Sequence, residues 1–492
     1  MNYKNPVLMC DVQDGSILKR GNYFYMVGAS FHLMPALPIF KSKNLKDWKC
    51  IGHVIDALPF AKFLNVNRRD GIFTPSLYYR KGIYYVLFSS PQSGIFVCSC
   101  TNIEKGNWTK PRCLLAEPGL ISPAVVWHHR HCYLAFTWIK EVRADDSMVW
   151  FYEVTPDLET TIGTQMCFYD GHLLAPHLSS LQWIQKDEYV YLLVTCGQKP
   201  ATFQLCLRSK DLFGPVDAKI VMMDGADTFS GPFCARLLEY KKGYWASFHL
   251  QNQIGYGNSL WIGTVRWQSD WPILGKTEDD LYGIAERHGY LLELDDGSHY
   301  KLKMSDFFSS KQKNLLWQTP ACVPKDQFLF QDGLQMRCMY HSMEAMAALH
   351  RLPSVLLVPL LYPSFKVSAL SSLALENEND EVGICFMGNP YRYLCVVRKN
   401  KKNHLQLKEG YFNQSYDVVL WDCVYQNKEL EWMFRLQKNG FYQFGFNRIY
   451  LNFKHRISSN DLYGGRIGLY IRGMTGGGSV QWKFFKVREL KR

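Results

Sequence analysis

Short apolar runs alternate with polar turns along the whole chain, and in its first half they recur as one two-part unit. The unit is a strand that begins at an elbow, then a tight polar turn, then a second strand rich in aromatic residues. It reads DGSILKRGNYFYMV from Asp14, TPSLYYRKGIYYVLF from Thr74, SPAVVWHHRHCYLAF from Ser122, APHLSSLQWIQKDEYVYLLV from Ala175 and GPFCARLLEYKKGYWASF from Gly231. Each copy runs on to a third strand, such as PIFKSKNLKDW ending at Trp48 or LWIGTVRW ending at Trp267. A period of roughly 50 to 60 residues made of strands and turns predicts radial repetition, a five-bladed β-propeller. The innermost strands of such a fold converge on one axis, so the elbows mark where a site is expected.

After WPIL, ending at Leu274, the chain turns polar through GKTEDDLYGIAERHG. Alternating strands then resume, at YLCVVRK, YDVVLWDCV, GRIGLYIRG and VQWKFFKVREL among others, and predict a β-sandwich of jelly-roll type. The expected organisation is all-β: a propeller over 1–275, a linker over 276–300 and a sandwich over 301–492. Two segments break the strand pattern. LPFAKFLNVNRRDG from Leu58 reads as a short helix or irregular loop, and MEAMAALHRLP from Met343 as a brief helix or a strand plus turn.

Composition narrows the class. Aromatic residues make up 15% of the 492 residues, which suits half-buried sheets and excludes a disordered chain. The net charge of +12 is spread over hairpin turns such as KSKNLKDWK and RKNKKNH, which reads as solvated surface and not as a nucleic-acid track. No run reaches the ~18 uninterrupted apolar residues of a membrane span, and the opening MNYKNPVLMCDVQDGS is not that of a signal peptide. Cys98 and Cys100 alternate within a strand and read as buried hydrophobes, so the 15 cysteines point to a reduced, cytoplasmic protein with no disulfide framework.

The elbows, in order, resemble those of glycoside hydrolase family 43, in particular its β-xylosidase and α-L-arabinofuranosidase-like members. The N-P-V-L opening matches Asn5, Pro6, Val7 and Leu8, and the D-P-S-I elbow matches Asp14, Gly15, Ser16 and Ile17. The G-I-W-A-P-S/T-L segment matches Gly71 to Leu77, and the W-x-x-G/D-W-P exit matches Trp267 to Pro272. DFFSSKQKNLLWQ from Asp306 and YGGRIGLYIRG followed by VQWKFFKV resemble the start and end of that family's concanavalin-like sandwich.

The resemblance implies an inverting glycosidase. Such an enzyme needs a base carboxylate and an acid about 6.5–9.5 Å apart, with a third carboxylate raising the acid's pKa. The base falls on Asp14. The third carboxylate's position falls on Ser122 and the acid's on Leu174, so both are degenerate here. Asp11, three residues before Asp14, either crowds the site or lies at the surface. Candidate sugar-contacting residues are Phe31, His32, Phe73, Trp127, Trp138 and His177, the last able to take up a proton. A carboxylate relocated from a loop would have to be Asp145, Asp146, Asp170, Asp224 or Asp227; Asp170 stands four residues before Leu174, about 13 Å of extended chain.

Three readings stay open: a glycosidase of altered mechanism, a glycan-binding protein without turnover, and a protein-interaction propeller. The expected partner is an oligosaccharide or glycoside of xylose or arabinose type, with no nucleic acid and no membrane; an oligomer is left open. No cofactor is expected. Similar enzymes hold a cation near the axis through water and His, but no metal ligand set is assigned to this chain.

Overall fold

The computed structural model describes residues 1–56, 71–139, 146–225, 230–277, 281–294, 300–309, 314–320, 326–458 and 464–490. The segment from Leu58 therefore lies outside the described residues, apart from its last glycine. Strands dominate, and the helical elements among the described residues are Met343–Ala347 and a 3-10 turn at Leu349–Arg351.

Five propeller-like antiparallel sheets follow one another along the first half. Their inner strands are Gln13–Arg20, Phe73–Arg80, Leu120–His128, Ser179–Lys186 and Phe233–Lys241. These inner strands touch in cyclic order, the fifth returning to the first. Leu8–Met9 supplies the outer strand of the fifth sheet by pairing with Gly257–Gln268, so the chain start fastens the ring.

Period-two alternation drives this assembly, because successive side chains leave a strand on opposite faces. In the first sheet Met26 packs with Phe248 and Leu250 of the fifth, whereas Val27 packs with Val86 and Phe88 of the second. Every sheet is thus buried on two faces by its neighbours.

The expected linker is stitched into this first body. Gly283–Ile284 adds in parallel to Asp217–Met223 of the fourth sheet, and His288–Tyr290 pairs with Asn2–Lys4. The Tyr3 hydroxyl donates to Glu286 at 2.6 Å, and the Asn5 amide donates to the carbonyls of Ile262 and Glu286 at 2.7 and 2.6 Å. Its polar composition reflects edge pairing and not a free tether.

The second half is a two-sheet sandwich. Its six-stranded sheet runs Val355–Pro359, Arg466–Arg472, Glu381–Met387, Tyr391–Lys399, Lys402–Gly410, Val418–Tyr425 in spatial order. The facing sheet is centred on Phe365–Ala374, paired with Glu429–Leu436 and Ser479–Glu489. Ile384, Phe386 and Leu394 meet Val367, Phe434 and Trp482 between the layers.

The sandwich docks onto the face where the inner strands begin. Met34 and Thr319 exchange backbone hydrogen bonds of 2.8 and 2.7 Å, the Gln318 amide donates to the Pro35 carbonyl at 2.8 Å, and the Tyr256 hydroxyl donates to Pro363 at 2.7 Å. Met34, Pro35 and Tyr256 belong to connections between second and third strands of the first and fifth sheets, which share one side with the elbows.

Candidate functional site

Each inner strand enters through a residue in the left-handed region: Asp14 (φ 46°), Thr74 (45°), Ser122 (61°), Ser180 (56°) and Cys234 (53°). Each stands where the pairing with the second strand shifts register. A left-handed residue at a bulge turns its side chain out of the ladder. Five such residues on cyclically adjacent strands form a ring.

The ring is held by its own side chains. Asp14 Oδ2 accepts from the Thr74 N–H at 3.3 Å, Thr74 Oγ1 accepts from the Ser122 N–H at 2.8 Å, and Ser122 Oγ accepts from the Ser180 N–H at 2.8 Å. At the fifth elbow the Cys234 N–H donates instead to Thr195 Oγ1, on the second strand of the fourth sheet, at 3.0 Å, and the Cys234 thiol donates to the Gly15 carbonyl at 3.6 Å. From the first to the fourth sheet, one elbow's side chain thus positions the next elbow's backbone. Replacing Thr74 by valine, nearly equal in shape, strands the buried Ser122 N–H and is expected to cost about 1–3 kcal/mol, read from denaturant unfolding.

Two residues further along, Ser16, Ser76, Ala124, Gln182 and Arg236 form the next layer. Ser16 Oγ accepts from the Leu77 N–H at 3.0 Å, and the Ser76 hydroxyl donates to the Pro123 carbonyl. Gln182 both donates to and accepts from the Leu237 backbone, at 2.9 and 2.7 Å. Arg236, 4% exposed, gives its Nη1 to the carbonyls of Ser180 and Ala235 at 2.8 and 3.0 Å.

The electrostatics centre on Asp14. Burial raises its pKa, opposed by the Lys199 charge, the Thr74 N–H and the Arg236 charge. Burial likewise lowers the Lys199 pKa, opposed by Asp14 and Asp11. Burial also pushes the Cys234 thiol up to about 11, so it stays protonated and unreactive near neutral pH.

Asp11 lies inside, not at the surface. Its Oδ1 accepts from the Gln13 amide at 2.6 Å and the Asn258 N–H at 3.1 Å, and its Oδ2 stands 3.5 Å from Arg466 Nη2 of the sandwich. The sandwich thus delivers a cation three residues from Asp14.

Several expected contact residues converge on this side. Phe31 and Phe73 meet edge to face at 4.7 Å beside the second elbow, and His32 follows on the same connection as Phe31. Trp138 pairs with Leu120 at the elbow end of the third sheet and is buried. His177 precedes the fourth elbow, its Nδ1 2.5 Å from Asp146 Oδ2 and 3.5 Å from the Gln198 amide.

Two expected positions lie away from the ring of elbows. Trp127 lies five residues past Ser122, about 16 Å along an extended strand, where it packs on Tyr78 and Arg80 near the opposite end. Leu174 is 75% exposed on a turn closed by Gly171, and the fourth elbow is Ser180. The first hairpin-turn residue follows the elbow by the same count in four sheets, from Asp14 to Gly21, Thr74 to Lys81, Ser122 to His129 and Ser180 to Asp187, and by one residue more in the fifth, from Cys234 to Lys242. That spacing was the available signal; the A-P-H motif masked it.

Among the loop carboxylates, Asp146 is engaged with His177, Asp170 is exposed and bound to His172 at 2.6 Å, and Asp224 is exposed. Asp145 and Asp227 lie outside the described residues. The motif reading missed Lys199, Arg236 and Arg466, because their partners are set by tertiary contacts. No cluster of three or more metal-ligating side chains occurs among the described residues.

The sequence profile of Glycosyl hydrolases family 43 matches residues 3–272, more than half of the chain. The chain belongs to glycosyl hydrolase family 43. Among curated family relatives, a putative beta-xylosidase of Xylanibacter ruminicola is 23% identical over 285 residues, 58% of this chain and 52% of that protein. The chain thus spans about half the length of that relative. A xylosidase/arabinosidase of Butyrivibrio fibrisolvens is 25% identical over 450 residues, 82% of this chain and 81% of that protein. The solved xylan beta-1,4-xylosidase from Bacillus halodurans C-125 superposes with a TM-score of 0.85 at 17% identity, covering 99% of this chain and 100% of that one. That likeness establishes the all-β fold, propeller-like sheets followed by a sandwich. No described helix is long and apolar enough to cross a membrane.

Proposed function

We propose that this family 43 chain binds xylose- or arabinose-type glycans at the axis of a five-bladed propeller and does not hydrolyse natural glycosides at ordinary family rates. In this reading Asp14 is the retained base, Ser122 replaces the carboxylate that tunes the acid, and Ser180, not Leu174, stands where the acid would be. One observation carries it: the ring of elbows presents one carboxylate, three hydroxyl or thiol neighbours on the later sheets, and a threonine between. A serine hydroxyl cannot protonate a leaving alkoxide, and Ser122 Oγ is already accepting from the Ser180 N–H. The named activities of the relatives supply the sugar class.

The test compares activated aryl xylosides and arabinosides with xylo- and arabino-oligosaccharides. A good leaving group needs little acid assistance, which otherwise contributes about 10²–10⁴ in rate. Expected are calorimetrically measurable binding of the oligosaccharides, little or no cleavage of them, and residual aryl glycoside turnover that Asp14→Asn removes. Cleavage of oligosaccharides as fast as aryl glycosides, or no binding of any sugar, overturns the reading.

A further inference from the structure

The charges around Asp14 do not match a neutral sugar. Of the nearby cations, Arg466 is engaged with Asp11 at 3.5 Å. Arg236 gives Nη1 to two backbone carbonyls, which take two of its five donors without neutralising its charge. Lys199 remains. It stands on the connection between the second and third strands of the fourth sheet, on the elbow side, and is half-buried.

Its ammonium donates to Asn258 Oδ1 at 3.3 Å and lies 4.1 Å from the centre of the Phe233 ring. An ammonium carries three donors, so two remain beyond the Asn258 contact. Asp14 and Asp11 act on it through space. Around this point two carboxylates, Asp14 and Asp11, stand against three cations, Lys199, Arg236 and Arg466, an excess of one positive charge. A half-buried cation with open donors favours an anion, since charge-assisted hydrogen bonds are the stronger kind in a partly desolvated site.

We infer that the axial site takes an acidic sugar, a glycan residue bearing a carboxylate such as a uronic acid, with Lys199 binding that carboxylate. The inference rests on the proposed glycan-binding reading and names the substrate class within it. Asn258, bonded to Lys199 and donating from its amide to Gln13 Oε1 at 2.5 Å, orients the ammonium. The Phe233 ring lies against the ammonium itself as a cation–π contact, beside the fifth elbow.

The experiment titrates the full chain with xylotriose and with xylotriose carrying a glucuronic acid substituent, by calorimetry at low and at high salt. The acidic ligand is expected to bind at least about tenfold more tightly at low salt, with the gap narrowing at high salt. Lys199→Met is expected to close the gap and Lys199→Arg to keep it, with Lys199→Gln alongside in case the methionine variant fails to fold. Equal or tighter binding of neutral xylotriose by the unmodified chain overturns the inference and leaves the glycan-binding reading intact. A gap that survives in a folded Lys199→Met or Lys199→Gln variant overturns the role of Lys199. Binding of neither ligand overturns both readings.

Discussion

Replacing Arg472 by methionine is expected to lower the unfolding free energy by about 3–5 kcal/mol at pH 7, because it leaves a buried carboxylate short of its main counter-charge. Arg472 and Glu381, each 2% exposed, sit at the ends of adjacent paired strands of the six-stranded sheet. Glu381 Oε1 receives Arg472 Nη2 and the Tyr470 hydroxyl, both at 2.7 Å, while its Oε2 receives Lys408 Nζ at 2.5 Å. Arg472 also donates to the Tyr393 hydroxyl at 3.1 Å, and that hydroxyl donates to Asp417 at 2.7 Å. Asp417 in turn accepts the Leu349 N–H at 2.8 Å, so the network holds down the short helical segment over this face.

The same network predicts an acid limb. Burial alone would raise the Glu381 pKa, but Arg472, Lys408 and the hydrogen bonds from Lys408 and Tyr470 overcome it and hold it at about 2. A carboxylate whose folded pKa lies below its ordinary value of 4.5 stabilises the fold above that value, and the contribution is lost as pH falls from 4.5 toward 2. Urea unfolding should show the difference between the native chain and Arg472→Met largest near pH 7 and narrowing below pH 4.5. A difference that stays constant down to pH 3 would assign the loss to packing of the arginine stem instead of to the charge network.

Strand identity was legible because alternation is a local property: Met26 and Val27 differ by one residue and enter different cores, as a period of two requires. Three elbows were legible for a second local reason, the small or rigid residue that follows each, Gly15, Pro75 and Pro123. The fourth has Leu181 there, while Ala175-Pro176 upstream resembles the motif and drew the expected acid position to Leu174. Trp127 was expected near the axis for another reason. Alternation assigns a face of a strand but not an end of it, and only distance from the elbow separates an axial residue from one beside the far turn. Lys199, Arg236 and Arg466 carry no motif, since each acquires its role from a partner brought near by ring closure or by docking of the sandwich. The segment 276–300 read as a linker because its strands are edge pieces, too short to show a period.

Restoring acids at Ser122 and Ser180 is expected to raise cleavage of natural xylo-oligosaccharides by about 10²–10⁴ over the unmodified chain. The first sheet adjoins the second and the fifth in the ring, so the third and fourth sheets stand across the axis from Asp14. That placement suits the separation of about 6.5–9.5 Å that inversion needs between base and acid, with room for water between them. A glutamate at 180 would supply the proton. An aspartate at 122, beside it through the present Ser122 to Ser180 hydrogen bond, would favour its protonated form by like-charge repulsion. Aspartate tolerates the left-handed backbone that position 122 requires. The double variant Ser122→Asp, Ser180→Glu is therefore expected to release xylose where Ser122→Asp alone does not, and adding Asp14→Asn should abolish that release. A folded, sugar-binding double variant without any gain would mean that Ser180 is not the position of the acid, and would overturn the proposal that missing carboxylates limit turnover.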